Sequence, residues 1–328
     1  MTAIAGIDLG GTKIQAVILD DGHNVVGQAR RPTPTAGGPK DVAAEMAETL
    51  REAAAAAGVE AAALTGVGVG SPGAVDSVEG TVAHARNLPG WEETFPLASA
   101  LAEDIGTPFY LSNDVRVAVM AEARLGAGRG YASLIGVWWG TGVGGGVVFG
   151  GEPWYGRGAA GEIGHMVVKK NGPVCPCGRR GCMEAYAGRA AMEARARELV
   201  KKGEKTKLFA IMEKQGRTRL QSGIWARALE KKDPLAVALV ERAIEALGAG
   251  IASAVNLLDV EAVVIGGGLG SRLGQPYADR IREAMLPHLF VDERPPAVHV
   301  AALGDLGGAI GASLLVPNGT RRRATKAA

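Results

Sequence analysis

The sequence predicts a mixed α/β protein with room for two domains. Apolar strand patterns alternate with helix patterns along most of the 328 residues, as is typical of α/β proteins. A chain of this length can bury a large core. Each half also begins with two strand patterns joined by a glycine-rich turn, although the sequence has no repeat of fixed period.

The first half opens with three strand patterns. The stretches IAGIDLGG and KIQAVIL predict two strands, and Asp21-Gly22 predicts a hairpin to a third. Residues 39–57 form an alanine-rich helix pattern that should stop at Gly58, a usual position for a capping glycine. A strand, LTGVGVG, then leads into the loop SPGAVD. A further strand, PFYLS, is followed by the helix pattern VAVMAEARLG.

The second half opens with the strand patterns ASLIGVWW and GGVVFGG on either side of a glycine turn. Helix patterns follow near residues 184–202 and 221–231. Asp233-Pro234 should start a long helix that ends near Leu258, because an N-cap residue followed by proline is a typical helix start. The strand AVVIGGG comes next. The last pattern, GGAIGASLLV, predicts a helix that packs back onto the first half.

The composition argues against several protein classes. Hydrophobic residues make up 47% and charged residues 21%, which indicates a folded protein. The 49 glycines are clustered without a period, which favours special turns over collagen or a flexible linker. The net charge of +2 gives no support for nucleic-acid binding, and part of it comes from a basic segment that we expect to be a disordered tail at 319–328. Without a leader pattern or a convincing membrane span, we expect a cytoplasmic protein.

The first glycine turn, DLGGTK at 8–13, has the residues of a phosphate-binding loop. Gly10 and Gly11 would let backbone N–H groups approach a phosphate, and Thr12 and Lys13 would add donors. A Walker A loop is excluded because the threonine precedes the lysine and a strand follows. Asp8 is placed to hold Mg²⁺ or its water. Alternatively, it only bonds its own turn.

The second glycine turn, GTGVGG at 140–145, matches a dinucleotide fingerprint in form only. That fingerprint needs a helix directly after the loop, and here a strand follows, so a Rossmann site is excluded. Either turn alone is compatible with a tight hairpin that binds nothing. Two glycine-threonine turns and a third glycine cluster at 266–268 together predict a triphosphate site.

Asp114 directly follows the strand PFYLS, where we expect a loop carboxylate. Phosphoryl transfer needs a base, in-line positioning and neutralisation of charge by Mg²⁺. Asp114 is therefore the candidate base that accepts the proton of an attacking hydroxyl. The alternative is that Asp114 only caps the next helix.

All three cysteines lie in one short segment. His165, Cys175, Cys177 and Cys182 offer four ligands of the types that zinc prefers, and three thiolates with one imidazole leave no open position. The pattern therefore favours a structural Zn²⁺ site. A redox site is disfavoured because no C-x-x-C is present, and a cysteine nucleophile would lack an orienting third partner. Inert cysteines are the remaining alternative.

Taken together, these motifs resemble the ROK family of sugar kinases and repressors, and in particular its bacterial glucokinases. The resemblance extends from DLGGTK to LGDLGGAIGAS, and its most specific part is EIGH at 162–165 followed by CPCGRRGCME. It implies a two-domain actin-like ATPase (ribonuclease-H-like) α/β fold with the active site in the interdomain cleft. The implied small domain comprises residues 1–115 and about 303–318, and the large domain residues 116–302.

The resemblance also implies an activity and a role for individual residues. Asp114 would be the general base in ATP-dependent, Mg²⁺-assisted phosphorylation of a hexose, with glucose favoured. The implied sugar-binding residues are Gly73, Asn87, Asn113, Asp114, Glu162, His165 and Glu184. The implied ATP-binding residues are Asp8, Gly10, Gly11, Thr12, Lys13, Thr141, Gly142, Gly267 and Gly268. His165 would bind zinc through one ring nitrogen and sugar through the other. A homodimer or larger oligomer is expected.

Two departures from the family pattern leave the substrate open. Val115-Arg116 stands where the family usually has alanine and asparagine, and Trp138-Trp139 replaces smaller residues. For the tryptophans we expect core and hinge packing, and a stacking surface for sugar or base is the alternative. The alternative acceptors are N-acetylmannosamine, N-acetylglucosamine, mannose and fructose, and polyphosphate is the alternative donor. A sugar-responsive repressor is disfavoured because no DNA-binding pattern precedes the first glycine turn.

Overall fold

The structure is a computed structural model that describes residues 3–317. The tail predicted at 319–328 lies outside these residues. Within the described part of the chain, no helix has both the length and the apolar character needed to cross a bilayer.

The chain forms two compact units. The first comprises the residues up to Glu122 together with the segment from Leu303 onwards, and the second is Ala123–Ala302. The predicted boundary after residue 115 and the observed boundary after Glu122 both lie within one helix, Asp114–Leu125.

The elements of the first half alternate between strands and helices. In chain order they are β1 (Ile4–Leu9), β2 (Lys13–Leu19), β3 (Val25–Pro32), α1 (Pro39–Ala56), β4 (Val67–Ser71), β5 (Ala74–Asp76), β6 (Thr81–Ala83), α2 (Leu97–Ile105), β7 (Phe109–Asn113) and α3 (Asp114–Leu125).

The rest of the described chain has more helix. Its elements are β8 (Ser133–Trp139), β9 (Val143–Phe149), β10 (Glu152–Trp154), α4 (Glu184–Ala187), α5 (Arg189–Lys201), α6 (Leu208–Lys214), α7 (Ser222–Glu230), α8 (Pro234–Leu258), β11 (Ala262–Gly266), α9 (Gly267–Leu273), α10 (Gln275–Met285), β12 (Ala297–Val300) and α11 (Gly307–Ser313).

Each unit is built on a five-stranded sheet, and the two sheets have the same topology. The first has the strand order β3-β2-β1-β4-β7, and the second has the order β10-β9-β8-β11-β12. In each sheet, the first three strands in sequence pair antiparallel, each with the next. The fourth strand pairs parallel with the first, and the fifth pairs parallel with the fourth. The two predicted glycine turns therefore occupy equivalent positions, β1–β2 and β8–β9.

Helix α11 packs directly on the first sheet through glycines. A Cβ atom at Gly6 of β1 would lie 1.9 Å from the Ala309 carbonyl oxygen, and one at Gly68 of β4 would lie 1.7 Å from that of Ala312. Since no side chain fits in these contacts, the helix backbone lies against the strands. This packing places the start of α11 beside the carboxyl end of β1.

The core of the second unit contains two of the large aromatic residues. Trp139 and Trp225 are fully buried, and the Trp139 indole N–H donates to the Ala187 carbonyl at 2.7 Å. Trp138 is half-buried, and a Cβ atom at Gly266 would lie 2.7 Å from its ring. Trp139 thus packs in the core, as predicted, whereas Trp138 lies against Gly266 and is only half-buried.

Local signals placed several element ends correctly. The Asp233 carboxylate accepts the Ala236 N–H at 2.9 Å at the start of α8, as the predicted N-cap requires. The β2–β3 hairpin is also present, but its left-handed residue is His23, with φ of 60°, and not Gly22. The Asp20 carboxylate accepts from the N–H groups of Gly22 and Asn24 and so holds this turn.

Candidate active site

The β1–β2 turn is a tight glycine loop fixed from below by a buried threonine. The Gly10 N–H donates to the Lys13 carbonyl at 2.9 Å, which closes the turn. The Thr33 hydroxyl donates to the Gly10 carbonyl at 2.6 Å, and the Thr33 N–H donates to the Thr12 carbonyl at 3.3 Å. Thr12 itself is exposed. The turn is thus held rigidly while its tip faces solvent, as a phosphate-binding loop requires.

The carboxyl group of Asp8, near the end of β1, lies beside this turn. Burial raises the pKa of Asp8 to about 7; the nearby Asp114 and Asp305 charges also raise it, while Lys13 lowers it. A Cβ atom at Gly308, in the second position of α11, would lie 2.8 Å from the Asp8 carboxyl carbon. Packing of α11 against the end of β1 therefore covers one side of the half-buried Asp8 carboxyl group and reduces its contact with water.

Lys13 is held by two neighbours on the same unit. Its ammonium group lies 2.6 Å from an Asp305 carboxylate oxygen and donates to the Gln15 side-chain oxygen at 2.9 Å. The hydrogen bond from Lys13 lowers the pKa of Asp305. These two contacts fix the orientation of the Lys13 side chain at the turn.

Asp114 is the first residue of α3 and does not lie in a loop, since β7 passes into the helix without a break. The Asn113 side-chain oxygen accepts from the N–H groups of Val115 and Arg116 at 3.1 and 3.3 Å. An Asp114 carboxylate oxygen accepts the Val115 N–H at 2.9 Å as well. Because Asn113 also caps this helix, a cap alone does not require the aspartate.

Two of the predicted sugar-binding residues in the first unit, Gly73 and Asn87, lie in loops that contact each other. A Cβ atom at Gly11 would lie 3.0 Å from the Asn87 side-chain nitrogen, so Asn87 contacts the glycine turn. Gly73 has φ of 88°, and a Cβ atom there would lie 3.0 Å from the Cα atom of Ala85. The structure thus connects Asn87 to the turn directly and Gly73 to the segment that carries Asn87.

The β8–β9 turn contacts Glu184, which follows the cysteine cluster in the sequence. The Gly140 N–H donates to the Gly142 carbonyl at 3.0 Å. A Glu184 carboxylate oxygen accepts the Val143 N–H at 2.9 Å, and a Cβ atom at Gly142 would lie only 2.2 Å from this oxygen. Only glycine at position 142 lets Glu184 reach the turn.

The third glycine cluster also reaches this turn. A Cβ atom at Gly140 would lie 3.8 Å from the Gly268 nitrogen, and Gly267 has φ of 80° with the Trp139 backbone in close contact. The predicted nucleotide residues of the second unit, Thr141, Gly142, Gly267 and Gly268, are therefore grouped together.

The four predicted metal ligands converge. The Nδ1 atom of His165 and the sulfur atoms of Cys175, Cys177 and Cys182 all lie within 4.8 Å of one another. The Cys175 sulfur lies 3.7 Å from His165 Nδ1, and the Cys177 and Cys182 sulfurs are 3.7 Å apart. Zinc–thiolate bonds of about 2.3 Å in a tetrahedron give ligand separations of about 3.8 Å, so this donor set fits zinc.

Glu184 connects the ligand cluster to the second glycine turn. Its other carboxylate oxygen lies 3.8 Å from the Cys175 sulfur, and it begins α4 two residues after Cys182. His165 closes the short 3₁₀ turn Ile163–His165, which follows the exposed Glu162. Of the three predicted sugar residues in this unit, His165 and Glu184 thus meet at Cys175, and Glu162 lies at the start of the His165 turn.

Several residues that contact these turns carry no recognisable motif in the sequence. Asp305 and Thr33 contact the first turn. Arg189 contacts the second, where its guanidinium donates to the Thr141 hydroxyl at 2.9 Å, and it also donates to the Ser222 hydroxyl at 2.8 Å. These partners come from distant parts of the chain. The only sequence hint was the aspartate in LGDLGGAIGAS.

Comparison with known proteins assigns the family. The sequence profile of the ROK family matches residues 4–318. This chain belongs to the ROK family. The predicted resemblance is therefore confirmed along nearly the whole chain.

ROK relatives match over most of their own length. A glucokinase of Thermotoga maritima is 35% identical over 291 residues, which cover 88% of each chain. An N-acetylmannosamine kinase of Pasteurella multocida is 32% identical over 309 residues, 92% of this chain and 94% of that one. A ROK family glucokinase from Streptomyces griseus, in complex with glucose and AMPPNP, is 31% identical with a TM-score of 0.80 and covers 95% of this chain and 98% of that one. The predicted two-domain, actin-like α/β fold is thus confirmed.

Proposed function

We propose that this ROK protein is an ATP-dependent hexose kinase and that its preferred acceptor is the 6-hydroxyl of glucose. The observation that carries the proposal is the position of Asp114. It stands at the carboxyl end of the parallel strand β7, close enough to Asp8 for its charge to raise the Asp8 pKa. A candidate base and a candidate magnesium-binding acid are thus neighbours beside a glycine turn that carries a lysine.

The proposed chemistry needs few groups. Asp114 accepts the proton of the attacking hydroxyl as the new bond to the terminal phosphorus of ATP forms and the bond from that phosphorus to the bridging oxygen of ADP breaks. The proposed phosphate ligands are the backbone N–H groups of the β1–β2 turn with Thr12 and Lys13 in the first unit, and those of the β8–β9 turn with Thr141 in the second. The proposed sugar ligands are Gly73, Asn87 and Asn113 in the first unit, and Glu162, His165 and Glu184 in the second.

Two metal ions belong to this proposal. Asp8 and Asp114 repel each other, and such a pair fits a divalent cation, so Asp8 would hold Mg²⁺ or one of its waters. Magnesium bound with ATP supplies neutralisation of phosphate charge. His165, Cys175, Cys177 and Cys182 would hold a structural Zn²⁺, which fixes the His165 ring and the loop before Glu184.

Glucose is favoured over other acceptors by the named relatives, and N-acetylmannosamine is the second candidate. The Thermotoga maritima and Streptomyces griseus relatives are glucokinases, whereas the Pasteurella multocida relative is an N-acetylmannosamine kinase. Sugars with and without an acetyl group are distinguished by pocket shape, because an extra acetyl group needs additional volume.

A coupled kinase assay across a sugar panel tests the proposal. Glucose, mannose, fructose, N-acetylglucosamine and N-acetylmannosamine would each be tested with ATP and with polyphosphate. We expect glucose with ATP to give the highest kcat/KM. A higher kcat/KM for an N-acetylhexosamine, or for polyphosphate, would reassign the acceptor or the donor.

The role of Asp114 is tested by Asp114→Asn. Loss of a general base typically costs a factor of about 10² to 10⁴ in rate. We expect a kcat loss in this range, with ATP affinity retained and the melting temperature close to that of the wild type. Asp21→Asn, at an exposed position of the β2–β3 hairpin, is the matched control. Near-normal turnover by Asp114→Asn would contradict the assignment.

A further inference from the structure

Arg189 is the first residue of α5 and is bonded to the β8–β9 turn by both backbone and side chain. Its N–H donates to the Gly140 carbonyl at 3.1 Å. Its guanidinium donates to the Thr141 hydroxyl at 2.9 Å and to the Ser222 hydroxyl, on α7, at 2.8 Å. The side chain therefore lies across the turn and not out in solvent.

The charge of Arg189 has no direct counterpart among residues 3–317. Its two hydroxyl partners are neutral, and it forms no ion pair with a carboxylate of the described chain. The buried Glu193, whose charge acts on Arg189, already accepts hydrogen bonds from Arg197 at 2.7 Å and from Arg219 at 3.1 Å. Two other arginines thus already occupy this carboxylate, and Arg189 is not bonded to it.

The surroundings of Arg189 make its charged form less stable. Burial lowers the pKa of Arg189, the nearby charge of Arg219 lowers it further, and only Glu193 opposes them. A guanidinium that is partly desolvated and beside a second cation gains stability when an anion binds. The local excess of positive charge therefore indicates an anionic ligand.

The neighbours of Arg189 indicate where that anion lies. Thr141 belongs to one of the two turns proposed to hold the phosphates. Ser222 lies beside Gly268, where an added Cβ atom would be 3.4 Å from the Ser222 hydroxyl oxygen. The guanidinium thus stands between the proposed phosphate turn and the glycines proposed to lie near the adenosine.

We propose that Arg189 binds the phosphate chain of the nucleotide directly and that Ser222 orients its guanidinium for this contact. The inference rests on the proposed ATP-dependent function and names a residue of that site. Arg189 has five N–H donors, and two of them donate to hydroxyl groups. The three that remain can donate to phosphate oxygens. A lysine at this position would keep the charge but not the planar set of donors.

A purely structural role for Arg189 makes a different prediction. If Arg189 only held Thr141 in place, Thr141→Val would reproduce the defect of Arg189→Met, and the double variant would be no worse. If Arg189 contacts phosphate, the two losses combine in the double variant. Binding of adenosine, which has no phosphate, also separates the two roles.

The test is equilibrium titration of the full-length protein with ADP, inorganic tripolyphosphate and adenosine, together with steady-state kinetics. Arg189→Met should weaken ADP and tripolyphosphate binding about tenfold to a hundredfold, as expected for hydrogen bonds to a charged group. Adenosine binding and the hexose KM should change less than about twofold. Arg189→Lys should give an intermediate loss, and Ser222→Ala a smaller one.

The matched control is Arg195→Met on the same helix, because Arg195 forms an exposed ion pair with Glu198 at 2.6 Å. It should bind all three ligands as the wild type does. Circular dichroism and the melting temperature establish that each variant is folded.

Unchanged ADP and tripolyphosphate binding in folded Arg189→Met would overturn the inference, as would an equal loss of adenosine binding. The proposed function fails separately, if the wild type phosphorylates no hexose of the panel.

Discussion

The β1–β2 and β8–β9 turns occupy equivalent positions in two sheets of the same topology, yet their charges come from different places. The first turn carries its own charged residues, Asp8 and Lys13, and receives Asp305 from the segment before α11. The second turn is neutral, and its charged neighbours are Arg189 at the start of α5 and Glu184 at the start of α4. One topology therefore supports two different ways of placing charged side chains beside a glycine turn.

The difference also separates two kinds of constraint. In the first turn the strain is electrostatic, because the Asp8 carboxyl group is desolvated beside Asp114. In the second turn the constraint is steric, because Glu184 fits only against a glycine at 142. Substitutions at equivalent positions of the two turns should therefore act through different physical causes, charge at the first turn and steric contact at the second.

The largest expected effect is on stability at the first turn. The Asp8 pKa is raised from 3.8 to about 7, so the folded protein binds a proton that the unfolded chain has already released. Stability should therefore fall as pH rises from 4 to 7 and stay lower above 7. Asp8→Asn should be more stable than the wild type at pH 8.5 by up to about 4 kcal/mol.

Urea denaturation without Mg²⁺ at several pH values between 5 and 8.5 checks this prediction, with Asp21→Asn as control. The stability advantage of Asp8→Asn should shrink as pH falls. An advantage that is constant across this range, or absent at pH 8.5, would contradict the raised pKa.

The second effect concerns Gly142→Ala. An added Cβ atom would lie 2.2 Å from a Glu184 oxygen, so the carboxylate must leave the turn and its bond to the Val143 N–H. We expect kcat/KM to fall about a hundredfold, the scale of a misplaced binding group. Gly140→Ala is the control, because its Cβ atom would meet nothing closer than 3.8 Å. Equal activity of the two variants would argue against a role for Glu184 at this turn.

A third effect compares the two partners of one ion pair in the first turn. Lys13→Met should raise the KM for ATP about tenfold, since it removes the charged hydrogen bond that we propose to phosphate. Asp305→Asn should change it by no more than about threefold, because the Asp305 side chain is 67% exposed and surface ion pairs contribute little. Steady-state kinetics with varied ATP distinguish the two. A larger loss for Asp305→Asn would make Asp305 part of the binding site.

The smallest effect is expected at the metal loop. Cys177 is exposed, so Cys177→Ser creates no cavity and removes one ligand only. The variant should lose stoichiometric zinc by elemental analysis, melt at a lower temperature and raise the hexose KM a few-fold with the ATP KM unchanged. Val174→Thr, on the same loop, is the control. Active wild-type protein without bound metal would refute the zinc proposal.

Much of the architecture was predictable because its signals are local. The β8–β9 hairpin and the Asp233 cap of α8 each follow from a few adjacent residues, whereas the loop expected at Asp114 is the first turn of α3. The four metal ligands were also predictable, since three of them lie within eight positions of the chain.

Other elements depend on tertiary contacts. Helix α9 has the sequence GGLGSRL, which has poor helix propensity, yet Leu269 is fully buried and Gly270 packs against Ile265. Packing therefore stabilises a helix that the sequence alone would not indicate. The Arg189 bond to Ser222 spans 33 positions, and the Lys13 contact with Asp305 joins opposite ends of the chain. No local pattern shows which of 36 basic residues approaches a given turn.

The proposed hexose kinase activity can be followed directly by ³¹P NMR of a reaction that contains the protein, glucose, ATP and Mg²⁺. We expect the ATP signals to decline while those of ADP and a single phosphomonoester, glucose 6-phosphate, grow in equal amounts. A phosphomonoester at another position would contradict the assigned acceptor hydroxyl. ATP that is not consumed with any hexose of the panel would contradict the proposed function itself.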